Sequence, residues 1–316
     1  MKRRDFLSSA AIGTGVLVSG QIPSTFAQET KTKPKKTFST DPVALVPLTD
    51  KIMCSRLGFG CGMRGSNRQS DITRMDRTKA LELLRFAYDK GIRMFDLADL
   101  YGSHDVVSEA MEGKPRDSYV FSSKIWVHGG GIPERERPDA DIVVKRFLKE
   151  CKTDYLDVVQ LHCMMNDKWA EQFEKQLEIL DKLKKEGLIR AHGVSCHSPN
   201  AIELAAKTPW TDVIHARINC EGVNMEGPGD AQAKIAENVK LMNDAHNAGI
   251  GVIAMKVIGE GKFADSLDLR RKSVKFVVDL ECVDVMIAAF DEKEHITEFV
   301  ENVELALKSM EASTKA

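Results

Sequence analysis

Five polar side chains that can take part in acid–base chemistry stand at or near the carboxyl ends of short β-rich runs. Asp96 and Tyr101 close the second run, Lys124 closes the third, His162 closes the fourth, and His215 lies in the sixth. The carboxyl ends of parallel strands meet at one edge of a sheet, and side chains two residues apart on a strand share a face. We therefore expect these residues to gather in one pocket.

The chemistry of such a pocket follows from its charges. A buried lysine ammonium needs a counter-ion, and Asp96 on the neighbouring strand supplies one for Lys124. An ammonium near Tyr101 should lower the pKa of its phenol from about 10 towards neutral and make it a general acid. His162 can donate a hydrogen bond to a carbonyl oxygen and orient it. Taken singly, such residues are more often a structural ion pair and a core histidine. Four of them at successive strand ends favour catalysis.

Eight β-rich runs alternate with helix-length amphipathic stretches from about residue 56 onward. This alternation predicts parallel βαβ units, and eight units in about 260 residues fit a closed α/β barrel, the (β/α)8 TIM barrel, as a single domain. A doubly wound sheet is the competing architecture, but the glycine-rich segment 58–62 leads into a polar loop rather than into a helix. The predicted strands are Arg56–Cys61, Arg93–Leu97, Tyr119–Lys124, Val158–His162, Ala191–Cys196, Val213–Asn219, Gly251–Met255 and Val283–Phe290.

The first 27 residues differ in character from the rest of the chain. Arg3-Arg4-Asp-Phe-Leu resembles a twin-arginine pattern, an apolar run too short to span a bilayer follows it, and Ala27 completes a small-residue cleavage site. We expect residues 1–27 to be a twin-arginine signal peptide, with the twin-arginine export machinery as a partner and the bacterial periplasm as the destination. Two alternatives remain: an ordinary secretion signal, and a leader that is not cleaved. Only an uncleaved leader would attach the protein to a membrane. Residues 28–50 are expected to be a polar linker and the approach to the barrel, with 28–40 a solvated tether, and residues 51–312 the barrel itself.

Charge and cysteine content exclude some classes of function. The chain has 45 Lys and Arg against 47 Asp and Glu, so no basic excess points to nucleic acid as a partner. Seven cysteines without a Cys-x-x-Cys spacing predict mostly free thiols, which suits a protein folded in the cytoplasm before export. Four of them fall near strand ends, but they come singly from separate strands and predict no metal site: Cys61, Cys163, Cys196 and Cys220.

Three stretches of the chain resemble the aldo-keto reductase family. The segment Phe95-Asp96-x-Ala-x-x-Tyr101-Gly resembles the family signature after the second strand, segment 153–162 resembles its fourth strand, and segment 184–195 its fifth. The resemblance spans about residues 56–302. It implies an NAD(P)(H)-dependent oxidoreductase that moves hydride between a nicotinamide cofactor and a small carbonyl or alcohol substrate. In that family mechanism Tyr101 would be the proton donor, Lys124 and Asp96 would tune it, and His162 would orient the carbonyl.

The same resemblance implies contacts to the nicotinamide end of the cofactor. Ser195 occupies the place of the serine that binds the carboxamide, and Cys196 stands where an asparagine is usual. His215 replaces a glutamine, and an imidazole can still hydrogen-bond an amide. Met255 and Lys256 stand where an aromatic side chain often stacks on the nicotinamide.

Contacts to the remainder of the cofactor are implied by position. Lys256 with Gly259 and Gly261 would hold the pyrophosphate through charge and free backbone N–H groups, or the segment is a flexible surface loop. Glu298 and Asn302 are candidate adenosine contacts. Acidic residues at 291 and 292 would repel an adenosine 2′-phosphate, so we expect NAD(H) to bind at least as well as NADP(H), with the preference between them left open.

Two functions remain open at this level. One is a carbonyl reductase or alcohol dehydrogenase; the other is an exported barrel that binds a nicotinamide cofactor or another ligand with little turnover, because the usual asparagine and aromatic contacts are replaced. The loops 125–138 and 163–169 would select the substrate, and their sequences do not allow a pocket to be derived. Arg217 shares strand parity with His215, and either pairs with an interior acid or binds a substrate carboxylate.

Overall fold

The computed structural model describes residues 31–315 and shows a closed barrel of eight parallel strands. Each barrel strand begins and ends within a few residues of a predicted run, so the predicted (β/α)8 class is confirmed. A short antiparallel hairpin, β1 (Leu45–Pro47) and β2 (Met53–Ser55), precedes the barrel. The barrel strands are β3 (Leu57–Gly60), β4 (Met94–Asp96), β5 (Val120–Ile125), β6 (Leu156–Met164), β7 (Ile189–Cys196), β8 (Val213–Arg217), β9 (Gly251–Met255) and β10 (Val285–Ala288).

Helices follow the strands and pack around the outside of the barrel. Local sequence sets their ends: Ser198 caps a helix that begins at Pro199, and Gly91 with φ +93° follows the end of another. The helices are α1 (Asp71–Arg74), α2 (Arg77–Asp89), α3 (His104–Ala110), α4 (Ala140–Glu150), α5 (Trp169–Gln172), α6 (Glu174–Lys185), α7 (Pro199–Lys207), α8 (Ala231–Asn247), α9 (Leu267–Val278) and α10 (Lys293–Lys315). Single 3-10 turns span Asp99–Tyr101, Arg116–Ser118 and Gly259–Gly261.

The barrel interior is apolar at its amino-terminal end and polar at its carboxyl end. The apolar layer includes Met94, Val120 and Val158, and the β1–β2 hairpin closes it from below with Leu48 and Ile52. A second apolar core fills the space between strands and helices. This division leaves the carboxyl end of the barrel, where the predicted acid–base residues stand, as the place for a reaction site.

The segment before the hairpin is not the solvated tether that we expected. From Lys31 onward it lies against the amino-terminal end of the barrel. The side chain of Lys33 is 7% exposed and pairs with the fully buried carboxylate of Asp284, while Lys31 lies 3.0 Å from Asp212. Buried carboxylates at strand ends need cations, and this segment provides them. The predicted signal peptide, residues 1–27, lies outside the described residues. Within residues 31–315, no helix combines the length and the hydropathy needed to cross a membrane.

All seven cysteines fall in the described part of the chain, and none is disulfide-bonded. Burial raises the pKa of several of these thiols, including Cys61 and Cys196, so they stay protonated at neutral pH. Across residues 31–315, no three His, Cys, Asp or Glu side chains come together in a group that could hold a metal ion. The cysteines therefore behave as small apolar side chains in most positions.

Candidate active site

A buried ion pair forms the base of the site. Lys124, 1% exposed at the end of β5, donates to Asp96 Oδ1 at 2.6 Å and to the Leu97 carbonyl at 3.0 Å. Strand alternation points both charged side chains into the barrel from neighbouring strands. Burial alone would raise the pKa of Asp96, but Lys124 and His215 beside it hold that pKa below its ordinary value. Asp96 is therefore ionised at neutral pH, and its charge opposes the burial that lowers the pKa of Lys124.

His215 contacts this pair rather than the position of an amide ligand. Its Nε2 lies 3.0 Å from Asp96 Oδ1, a partner that the sequence analysis did not name. Burial lowers the pKa of His215, with Asp96 acting in the opposite direction, so the ring is neutral at neutral pH. An ionised carboxylate next to Nε2 favours the tautomer with the proton on that nitrogen. Strand parity could have indicated this partner, because β8 and β4 both point these residues to the barrel axis.

Tyr101 lies above the ion pair, at the end of the 3-10 turn that follows β4. Its Oη is 3.3 Å from His162 Nε2, and Lys124 Nζ lies 5.0 Å from the centre of its ring. Gly62 permits this position, because a Cβ there would stand 2.3 Å from the phenol ring. The ends of strands β4, β5 and β6 thus bring all four predicted acid–base residues together.

The predicted direction of the Tyr101 pKa shift is wrong. Burial of the phenol raises its pKa well above the ordinary value, and the negative charge of Asp96 adds to that effect. Burial and the charge of Lys124 lower the pKa of His162 well below its usual range. At neutral pH the tyrosine therefore holds its proton and the imidazole is neutral, which is the protonation state that a proton donor with an orienting partner requires.

A groove runs from these residues across the carboxyl ends of β9, β10 and β3. Its inner part, about 90 Å³, is bounded by Asp96, Tyr101, Lys124 and the residues that follow β9. Its outer part, about 510 Å³, reaches the start of α10, and the two parts share wall residues that include Glu260. A cavity of about 630 Å³ at the opposite end lies under segment 31–38, away from the acid–base residues.

Most of the predicted cofactor residues border this groove. Met255 and Lys256 line its inner part, and Gly261, Glu298 and Asn302 line its outer part. In the structure the Lys256 ammonium is paired with the carboxylate of Glu260, and Asn302 donates to Glu298 at 3.2 Å. Gly259 with φ +63° and Gly261 with φ +84° flank Glu260, so the segment after β9 turns sharply at the groove wall.

Four predicted cofactor residues do not line this groove: Ser195, Cys196, His215 and Gly259. Ser195 lies on the inner face of the barrel and its buried Oγ has no hydrogen-bond partner among the described residues. Cys196 packs in the outer core between strands and helices and borders neither part of the groove. Side chains alternate between faces along a strand, so an inward Ser195 requires an outward Cys196.

Three residues that the sequence did not single out complete the walls. Glu260 stands at the junction of the two parts of the groove. Arg270 on α9 faces the outer part and is held by both oxygens of Glu298, at 2.6 and 2.7 Å. Trp126 places its indole 5.4 Å from the His162 ring, ring centre to ring centre. Trp126 and Glu260 are close in sequence to the predicted residues Lys124 and Gly259, whereas Arg270 reaches the site only through the packing of α9.

Comparison with known proteins assigns the chain to a family. The sequence profile of the aldo/keto reductase family matches residues 56–276. The chain belongs to this family. An uncharacterized oxidoreductase of Bacillus subtilis (strain 168), YqkF, is 29% identical over 167 residues, which are 50% of this chain and 50% of that protein. The chain spans about half the length of the first curated relatives that it matches.

Solved structures of other aldo-keto reductases share the fold. The holo form of an aldo-keto reductase from Bacillus halodurans superposes with a TM-score of 0.63 at 19% identity, over 88% of this chain and 96% of that one. An aldo-keto reductase from Klebsiella pneumoniae in complex with NADPH gives 0.59 at 19% identity, over 81% of this chain and 87% of that one. At this low sequence identity, the superpositions show that the barrel fold is shared. The function has to be inferred from the residues of the site.

Proposed function

We propose that this aldo/keto reductase family member is a nicotinamide-dependent oxidoreductase that interconverts a carbonyl compound and its alcohol. One observation carries the proposal: Tyr101 Oη and His162 Nε2 lie 3.3 Å apart, above the Lys124–Asp96 pair, at the inner end of an open groove. A carbonyl oxygen placed between the phenol and the imidazole would have a proton donor and an orienting group at the same time.

The groove has features that suit a dinucleotide. Its two joined parts provide a narrow inner end and a wider outer end, and the orphaned Oγ of Ser195 offers a buried hydrogen-bonding atom for an amide. Lys256 stands at the wall where the pyrophosphate of an extended dinucleotide would pass, and its present partner, Glu260, is a surface carboxylate that can move away. When bound, the nicotinamide ring supplies the hydride that the carbonyl carbon receives.

The residues of the chain supply the other half of the reaction. Tyr101 holds a proton at neutral pH and can transfer it to the carbonyl oxygen as negative charge develops there. Lys124 stabilises the phenolate that remains, and Asp96 keeps the ammonium charged and in place. His162 orients the oxygen through Nε2. In alcohol oxidation the same groups act in reverse order.

The outer groove is more acidic than basic. Arg64 and Arg270 face it together with four carboxylates, those of Asp71, Glu260, Asp291 and Glu298. Glu292 is not among the residues that line the groove, and its exposed side chain pairs with Lys79. The excess of carboxylates supports binding of NAD(H) at least as tight as that of NADP(H), although the Klebsiella pneumoniae relative is in complex with NADPH.

The test is replacement of Tyr101 by Phe, assayed with NADH and NADPH on a panel of aldehydes and ketones. The change removes only the hydroxyl, so we expect the rate of carbonyl reduction to fall by about 10²–10⁴ while cofactor affinity stays within a few-fold of wild type. Tyr155→Phe is the matched control, since that ring precedes β6 at the opposite end of the barrel. Reduction by Tyr101→Phe at the wild-type rate would show that the proton comes from another group.

We also propose that the protein is exported in the folded state by the twin-arginine pathway. The support is the sequence of residues 1–27 together with the seven unpaired thiols, which suit folding in a reducing compartment.

A further inference from the structure

A second polar cluster lies at the barrel mouth on the side away from the cofactor groove. The groove follows the ends of β9, β10 and β3, whereas this cluster follows the ends of β6, β7 and β8. It consists of Cys163, His197 and Arg217, joined by Glu226 from the loop after β8. The His197 ring lies 6.2 Å from the His162 ring, centre to centre, so the cluster borders the position of the reacting carbonyl.

Arg217 is only partly satisfied by protein groups. Its Nη1 donates to the Asn224 carbonyl at 3.1 Å and to Glu226 Oε1 at 3.0 Å, and its Nη2 donates to His197 Nδ1 at 2.6 Å. Its Nε is buried and has no hydrogen-bond partner among the described residues. A guanidinium carries five N–H groups, and an unpaired buried donor is costly. The site therefore retains hydrogen-bonding capacity for an added acceptor.

The bond from Arg217 also fixes the state of His197. A guanidinium can only donate, so Nδ1 must be the unprotonated acceptor and the proton of the ring is on Nε2. Burial and the Arg217 charge lower the pKa of His197 to about 2, which keeps the ring neutral. Within residues 31–315, Nε2 makes no hydrogen bond, so His197 presents a second free donor beside Arg217.

Glu226 shows which chemical group this cluster accepts. Its side chain is 49% exposed, and its carboxylate reaches the inward-facing guanidinium from the surface loop. The loop that carries Glu226 turns at Gly227 with φ +133° and Gly229 with φ +79°, conformations that favour glycine. Arg217 thus already pairs with a carboxylate, that of Glu226, and a substrate carboxylate can take the same place.

We propose that Arg217 and His197 recognise a carboxylate on the substrate, so that the substrate is a carbonyl compound that also bears a carboxylic acid group. The inference rests on the proposed reductase function and names its substrate class. The carbonyl oxygen lies between Tyr101 and His162, the carboxylate replaces Glu226 on Arg217, and His197 donates to it through Nε2.

The experiment compares 4-carboxybenzaldehyde with its methyl ester, methyl 4-formylbenzoate, which has the same aldehyde without the charge. We expect the wild-type enzyme to reduce the acid with at least tenfold higher kcat/KM than the ester. Arg217→Met should raise KM for the acid tenfold or more and leave the ester constants within threefold, while Arg217→Lys should recover part of the preference. An Arg217 with a purely structural role would change both substrates alike.

Glu226→Gln provides an independent variant that removes the competing carboxylate from the surface. It should lower KM for the acid several-fold and leave KM for the ester unchanged. Melting temperatures show whether each variant is folded. Because Glu226 is exposed, Glu226→Gln still tests the inference if Arg217→Met fails to fold. Equal kcat/KM for acid and ester in the wild type, with no change in Glu226→Gln, would overturn the inference and leave the reductase function intact.

A binding measurement covers the case in which neither aldehyde is reduced, which would count against the proposed function. In that case the wild type is titrated by calorimetry with 4-(hydroxymethyl)benzoate, the alcohol product, and with its methyl ester. This measurement tests the carboxylate site independently of the reductase function. Tighter binding of the acid that is lost in Arg217→Met supports a carboxylate site. Equal binding of acid and ester overturns it.

Discussion

Removal of the buried ammonium tests the electrostatics of the site most directly. In Lys124→Met, Asp96 keeps His215 at 3.0 Å as a partner but loses the cation at 2.6 Å. Breaking a buried ion pair by removal of one partner costs about 3–5 kcal/mol. Because His215 stays in contact with the carboxylate, we expect the lower end, a loss of about 3 kcal/mol in the free energy of unfolding at neutral to alkaline pH.

The loss should depend on pH with a defined sign. In the wild type, burial lowers the pKa of His215, so the unfolded chain binds more protons near pH 6 and the histidine reduces stability as the pH falls through about 6.5. Without Lys124, one cause that lowers the pKa of His215 is removed while Asp96 still raises it, so the folded variant binds a proton at His215 more readily than the wild type does. Relative to the wild type, the stability from that proton is present at low pH and is lost as the pH rises. The difference in unfolding free energy between the Lys124→Met variant and the wild type should therefore become smaller as the pH falls from about 8 to about 5.5.

Melting temperatures at the two pH values measure this effect, since about 3 kcal/mol corresponds to a decrease of about 6–10 °C for a chain of this size. The matched control is the double variant Lys124→Met with Asp96→Asn, which removes both charges and should recover much of the lost stability without recovering activity. A variant as stable as wild type at about pH 8, a gap that stays constant on acidification, or a double variant less stable than the single one would refute the reasoning.

Three further predictions concern the cofactor, the amino-terminal segment and export. The acidic outer groove around Asp291 should bind NADH at least as tightly as NADPH in a fluorescence titration, and a preference for NADPH above tenfold, about 1.4 kcal/mol, would contradict this. Lys33→Met should lower the unfolding free energy by about 3 kcal/mol because Asp284 loses its buried partner, whereas the exposed Lys35→Met should leave thermal melting unchanged. Replacement of Arg3 and Arg4 by Lys should retain the protein in the cytoplasm, and unchanged export on cell fractionation would exclude a twin-arginine signal.

The strands and the acid–base residues could be predicted from the sequence because both depend on local patterns. Apolar runs bounded by turns and amphipathic helices mark the eight βα units, and polar residues at their carboxyl ends must meet once the strands are parallel. Asp96, Tyr101, Lys124 and His162 follow from that rule. The outward position of Cys196 could also have been predicted from strand alternation, because Cys196 follows the inward-facing Ser195.

What the sequence could not determine depends on burial and on contacts between distant segments. The direction of the Tyr101 pKa shift depends on how completely the phenol is removed from water, and burial together with the charge of Asp96 raises that pKa. Segment 31–36 reads as solvated by composition, but Asp212 and Asp284, remote in sequence, bind its lysines. The contact of Arg217 with Glu226 likewise joins a strand to a loop whose path no local pattern specifies. In each case the free energy of a charge depends on its full surroundings, and only the tertiary structure supplies those.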